Sequence, residues 1–269
     1  MIRSKLPFTG LIALMGMAWS TGASAITLDF ETDEFGMPMI DGQIIDPAID
    51  PVDLEFGTGL VTITSRQLTP PDGHLGVTVF DSNTPDAQDP DLVVGLGNVL
   101  ILQNDASPST SVDPVVGLIY DTPNDEATVS DAGAIVFDFA TPVFLQSIDL
   151  IDINGGVRSE VTLTDTAGLT RTYSLPNKWS NDIVDSGPAG FDTLLLDTLL
   201  PQEGEGIGGP ALATEDPGFD PFLVVNLDVT FEGRSPSGAL DNLVFVPEPT
   251  SVVLALGGAL LFVGRRRRC

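Results

Sequence analysis

Glu160-Val161-Thr162-Leu163-Thr164, then Asp165-Thr166-Ala167-Gly168, then Thr170-Arg171-Thr172-Tyr173-Ser174 is the stretch on which the reading of the fold depends. Two short arms with period-two alternation, rich in Val, Thr and Tyr, flank a polar connection. Period two places alternate side chains on opposite faces of an extended chain, and β-branched and aromatic residues suit a pleated surface. The Asp165 to Gly168 connection reads as a hairpin turn.

The same pattern continues outward in both directions. Short apolar runs punctuated by Gly, Pro, Asp and Asn predict strands at 26–30, 60–65, 75–80, 98–103, 134–139, 145–153, 160–164, 170–174, 193–199, 223–231 and 240–246. No long run of period 3.6 appears between Ile26 and Val246. Some eleven short strands in one chain suit an all-β fold of two antiparallel sheets packed face to face, a jelly-roll-like sandwich. The Gly-, Pro- and acid-rich stretch from Pro201 to Pro221 reads as a long exposed loop. No linker or fixed-period repeat divides residues 26–246, so a single domain is expected there.

Charge narrows the function. All 38 acidic residues lie between Asp29 and Glu248, a span whose only basic residues are Arg66, Arg158, Arg171, Lys178 and Arg234, leaving a formal charge of −33. Such a field repels phosphate backbones and excludes nucleic acid as a partner. The counter-charges expected are cations. Asp outnumbers Glu by 28 to 10, and short carboxylates in loops suit calcium, which takes oxygen ligands. The competing reading for most of these acids is a solvated surface that keeps the protein soluble. Cys269 is the only cysteine, so neither an intramolecular disulfide nor a Cys-based zinc site is available.

The two ends carry addresses. Arg3 and Lys5, the apolar run Leu11 to Trp19 and the closing Ala23-Ser24-Ala25 have the order of a signal peptide, residues 1–25, with cleavage by signal peptidase expected after Ala25. At the other end, residues 247–269, Pro247-Glu248-Pro249 leads into the apolar run Val252 to Val263 and then Arg265, Arg266, Arg267 and Arg268. That run is short for a permanent membrane span but long enough for a transient hydrophobic helix, with the arginines on the cytoplasmic side. The three elements together resemble the sorting signal of PEP-CTERM proteins, exported bacterial proteins processed by the transpeptidase exosortase. The resemblance implies removal of the tail near Pro247 to Pro249, display on or release from the cell surface, and association with exopolysaccharide. An ordinary tail anchor would explain the apolar run and the arginines but not Pro-Glu-Pro.

Within the domain, Leu28-Asp29-Phe30-Glu31, the acidic stretch Phe80-Asp81 to Asp91-Leu92 and Ser237 to Phe245 resemble β-sandwiches of the carbohydrate-binding-module type. That resemblance implies a structural calcium held by Glu31, after the first strand, and Asp241, in the last. Asp81, Asp86, Asp89 and Asp91, in a Pro-punctuated loop, form a second candidate calcium cluster, weighed equally against a solvated acidic turn. Enzymatic chemistry finds little footing. His74 is the only histidine, Gly-x-Ser-x-Gly is absent, and Gly204 to Gly209 lacks the Lys-Ser or Lys-Thr of a phosphate loop and reads as a flexible loop. A glycosidase or lyase needs only two carboxylates, but nothing marks a pair. Trp179 and Tyr173 are candidate sugar-stacking rings, against a core role for Trp179. The expectation is a non-enzymatic surface protein, with a carbohydrate-binding module as the main alternative and a hydrolase or lyase behind it.

Overall fold

The computed structural model describes residues 24–33, 35–47, 49, 56, 59–66, 76–83, 92–103, 109–124, 133–154, 158–180, 190–232 and 237–248. The strands there are β1 (Ile26–Leu28), β2 (Val61–Arg66), β3 (Val77–Asp81), β4 (Asn98–Leu102), β5 (Thr110–Asp113), β6 (Gly117–Tyr120), β7 (Gly133–Asn154), β8 (Arg158–Asp165), β9 (Thr170–Leu175), β10 (Phe191–Leu195), β11 (Leu212–Glu215), β12 (Val224–Glu232) and β13 (Ser237–Pro247).

The hairpin read from the sequence is present as β8 and β9, paired from Ser159 opposite Leu175 to Thr164 opposite Thr170. Along β9, buried Arg171, Tyr173 and Leu175 alternate with half-buried Thr170, Thr172 and Ser174, the period-two pattern made physical. Asp165 organises the turn. Its Oδ1 accepts the N–H of Ala167 at 2.8 Å and of Leu169 at 3.0 Å, and its Oδ2 accepts the N–H of Asp220 at 3.0 Å.

The central element is β7, at 22 residues. Its first part pairs with β12 on one side and β2 on the other, whereas its second part pairs with β13 and β10. The exchange of partners falls at Ala140-Thr141-Pro142. The sequence reading broke this strand in two, at 134–139 and 145–153, since proline cannot donate to a ladder. Here Pro142 sits where no ladder bond is demanded of it, and its carbonyl accepts the N–H of Glu248 at 3.1 Å.

The strands form one antiparallel sheet of eleven in the order β11-β9-β8-β12-β7-β13-β4-β3, with β1, β2 and β10 paired alongside, and a separate β5–β6 ribbon. No second large sheet forms among the described residues. One apolar core draws on both halves of the path, from Val161, Tyr173 and Val229 to Val79, Leu100 and Leu240. The strands β3 and β4 are buried on both faces, because Phe80, Val99 and Ile101 pack with Leu92, Ile151 and Ala239 into a second cluster. Each such side chain contributes about 1.5–3 kcal/mol by leaving water, which lets a domain of this size fold without disulfides.

Two segments depart from expectation. The stretch 201–221 is not wholly loop: Leu212–Glu215 forms β11 on the free edge of β9, and Gln202 bridges Ala211. Its mostly exposed side chains carry no alternation to read, because main-chain pairing to an edge recruits it. The ribbon strands β5 and β6, four residues each, are too short to register as a pattern, β5 being mostly exposed and β6 mostly half-buried. Asp113 closes their turn by accepting the N–H of Val115 at 2.7 Å and of Val116 at 3.1 Å.

Candidate cation site between the first and last strands

The neighbours of β13 change along its length. Ala239 and Leu240 lie opposite Ile101 and Leu100 of β4, whereas Leu243, Val244 and Phe245 lie opposite Leu28, Thr27 and Ile26 of β1. Asp241 and Asn242 fall in the gap between those two partners. The pairing with β7 also shifts register between Asp241 and Val244, and Asn242 takes φ 48°, a left-handed backbone that Asn tolerates better than most residues.

The segment leaving β1 enters this gap. Phe30 is buried with φ 53°, which costs a side-chain-bearing residue about 1–2 kcal/mol and turns the chain so that Glu31 follows. The Glu31 Oε1 accepts the N–H of Asn98 at 3.0 Å, and Asn98 Nδ2 donates to the carbonyls of Phe30 and Met39, each at 3.2 Å. Gly97, at φ +97°, makes room for this arrangement. A Cβ there would lie 1.8 Å from Glu31 Oε1.

Asp241 is 1 % exposed, and its Oδ1 is the only buried side-chain nitrogen or oxygen among the described residues without a hydrogen-bond partner. Burial is the largest influence pushing its carboxyl up to about 8, from 3.8. The N–H of Asn242 opposes that rise, and the negative charges of Asp149, Asp29 and Glu31 add to it. Asp149 is the register partner of Asp241 on β7, where its Oδ1 accepts the Thr193 hydroxyl at 2.5 Å and its Oδ2 the Asn242 amide at 2.9 Å. A buried carboxylate oxygen with no donor, surrounded by like charge, is the environment that a cation relieves.

Among the described residues no three His, Cys, Asp or Glu side chains assemble into a metal cluster. A site built on the Glu31 and Asp241 carboxylates would need carbonyl and water oxygens to complete it. Calcium, as a hard ion with flexible geometry, accepts that mixture. The orphaned Oδ1 of Asp241 fits such an ion.

Of the second candidate cluster, Asp81 alone is among the described residues. Asp81 is the last residue of β3; its N–H donates to Asp41 Oδ1 at 3.0 Å and its own Oδ1 accepts the N–H of Asn83 at 2.9 Å, a local turn. Asp86, Asp89 and Asp91 lie outside the described residues, as do His74, Pro249, Arg265, Arg266, Arg267, Arg268 and Cys269. Ala25 is exposed directly before β1, and Pro247 ends β13 opposite Val143.

The aromatic candidates are core residues. Trp179 is 1 % exposed with its Nε1 donating to the Gln202 carbonyl at 3.0 Å. Tyr173 is fully buried and its hydroxyl donates to the carbonyls of Leu196 at 2.7 Å and Thr198 at 3.0 Å. The glycine-rich stretch read as a flexible loop is hydrogen-bonded to the turn carrying Trp179, with Gly206 N–H donating to the Trp179 carbonyl at 2.9 Å. A Cβ at Gly204 or Gly206 would meet the Trp179 or Lys178 carbonyl at 2.1 Å and 1.7 Å, so its glycines serve close packing.

Sequence reading gave no site role to Asp149, Asn98 or Gly97. Asp149 had a visible signal, a carboxylate interrupting the apolar run Ile148 to Ile153. No family model matches the sequence, and no curated protein is similar enough to match it. A chain from the structure of the infectious bursal disease virus Gt strain aligns over 78 % of this chain and 73 % of its own, at 12 % identity and a TM-score of 0.16, a likeness too slight to bear on fold or function.

Proposed function

We propose that this protein is an exported, non-enzymatic module of the bacterial cell surface, a jelly-roll-like β-sandwich stabilised by calcium between Glu31 and Asp241 and delivered by exosortase-type sorting. The observation that carries the cation part is the buried, unpartnered Oδ1 of Asp241. Support for the two-sheet arrangement comes from β7, whose two parts serve different partner strands around one core. The export and sorting part rests on Ala23-Ser24-Ala25 and on Pro247-Glu248-Pro249 with its apolar and arginine-rich sequel.

When bound, calcium supplies positive charge to a pocket of carboxylates. The residues do the rest: Glu31 holds the Gly97-Asn98 turn through its bond to Asn98, and Asp241 presents an oxygen from the last strand. The ion so held ties the segment after β1 to β13. A protonated carboxyl beside ionised ones also describes a glycosidase acid, but at 1 % exposure Asp241 is out of reach of a glycosidic oxygen, which favours stabilisation over catalysis. Burial of Trp179 and Tyr173 likewise takes away the two rings proposed to stack on sugar.

Two arms test the proposal on the full chain expressed in a host with exosortase. Thermal unfolding with calcium and with chelator should differ by about 5–10 °C, the equivalent of about 2.7 kcal/mol at a hundredfold excess of ion over its dissociation constant. An identical melting temperature in both removes the calcium. Deleting residues 247–269 should abolish surface retention, and equal retention removes the sorting reading.

A further inference from the structure

Phe144 and Val246 lie opposite each other on β7 and β13, both half-buried, while their neighbours Val143, Leu145 and Phe245 point into the core. They therefore share the outward face. The Phe222 ring stacks on Phe144 with centroids 4.9 Å apart and planes 20° apart. Phe222 is 53 % exposed and Leu223, beside it, 37 %. The nearby acid Asp220 is engaged locally, its Oδ1 accepting the Phe222 N–H at 3.0 Å. On a surface so rich in carboxylates, two stacked phenylalanines flanked by Leu and Val need a partner that is apolar.

The route of the chain identifies it. The N–H of Glu248 bonded to the Pro142 carbonyl fixes the last described residue two positions from Phe144. The apolar run begins at Val252, four residues on, a reach of at most about 14 Å. The headgroup layer on each side of a bilayer is roughly 5–8 Å deep. A tail inserted from Val252 thus draws this face of the domain down to the headgroups.

We infer that Phe144, Phe222, Leu223 and Val246 form a lipid-facing surface that rests on the outer headgroup layer while the tail is inserted. The inference depends on the tail reading above. Its occupant is zwitterionic lipid, because a chain of this charge is repelled by anionic lipid.

The test uses the full chain, exported by a host that leaves the tail uncut and reconstituted in phosphatidylcholine vesicles containing lipid brominated near the headgroup. Cys269→Ser removes the native thiol, and a fluorophore is placed through Phe222→Cys, through Leu223→Cys, or through Val112→Cys. Val112 lies on β5 of the separate ribbon, which connects through the Gln43–Ile119 and Ile44–Thr78 bridges to β3, the strand at the end of the sheet path three places from β7, and it is 76 % exposed. Quenching at 222 and 223 well above that at 112 is the expected result. Flotation with the vesicles but equal quenching at all three positions overturns this inference alone. Failure to float removes the tail reading and the inference with it. The Leu223→Cys variant preserves the test if Phe222→Cys does not fold.

Discussion

Replacing Asp241 by Asn should stabilise the calcium-free protein in alkali and destroy its response to calcium. Asn keeps the shape of the side chain but cannot ionise. In the folded wild type, burial and then the charges of Asp149, Asp29 and Glu31 push the Asp241 carboxyl up to about 8, against 3.8. The folded state therefore holds a proton that the unfolded chain has released, and between about pH 4 and pH 8 the contribution of this group to stability falls as pH rises. The whole shift amounts to about 6 kcal/mol at about 1.36 kcal/mol per unit, and relaxation and water entry reduce that to about 2 kcal/mol. For a domain of this size the Asn variant should melt about 4–8 °C above wild type at pH 8.5 in chelator. The amide acquires acceptors in the carboxylates already there. At pH 3.5, where the folded and unfolded states both largely hold the proton, the gap should close, and in excess calcium at pH 8.5 the order should reverse, since only wild type gains from the ion. Calorimetry at the two pH values, with chelator and with calcium, measures all four conditions. An Asn variant that melts below wild type at pH 8.5 in chelator would refute the reasoning, because Asp241 would then be satisfied without a cation.

Gly97→Ala puts a Cβ 1.8 Å from Glu31 Oε1 at a φ of +97°, so it should cost about 2–4 kcal/mol and blunt the calcium-induced rise in melting temperature. Asp165→Ala removes an acceptor from the N–H groups of Ala167, Leu169 and Asp220 and should lower stability by about 2–3 kcal/mol in urea unfolding. Burial opposes ionisation of Asp165, yet those backbone N–H groups outweigh it and hold its carboxyl below the ordinary value. Its stabilising effect is therefore complete above pH 4 and lost as pH falls through the folded value, so the wild type and Asp165→Ala should converge in acid.

The all-β class was legible because Val161, Leu163 and Tyr173 alternate with polar residues, and burial follows that alternation. Partner choice was not. Nothing local in Gly133 to Asn154 says that one strand serves four others, since this depends on which distant edges arrive beside it. Short edge strands such as Leu212–Glu215 are invisible for a related reason: their side chains stay in water and only their main chain is used. At the candidate site, Glu31 and Asp241 could be named from motifs at the two ends of the domain. Asp149, Asn98 and Gly97 could not, because they join the site through ladder register and a turn 67 residues from Glu31 in the case of Asn98.

Equilibrium dialysis of labelled calcium against the full chain, at near-physiological salt to screen the diffuse acidic surface, tests the central claim most directly. One tight site per chain is expected, lost in both Glu31→Gln and Asp241→Asn. Wild type without a tight site, or a site that survives both substitutions, would contradict it.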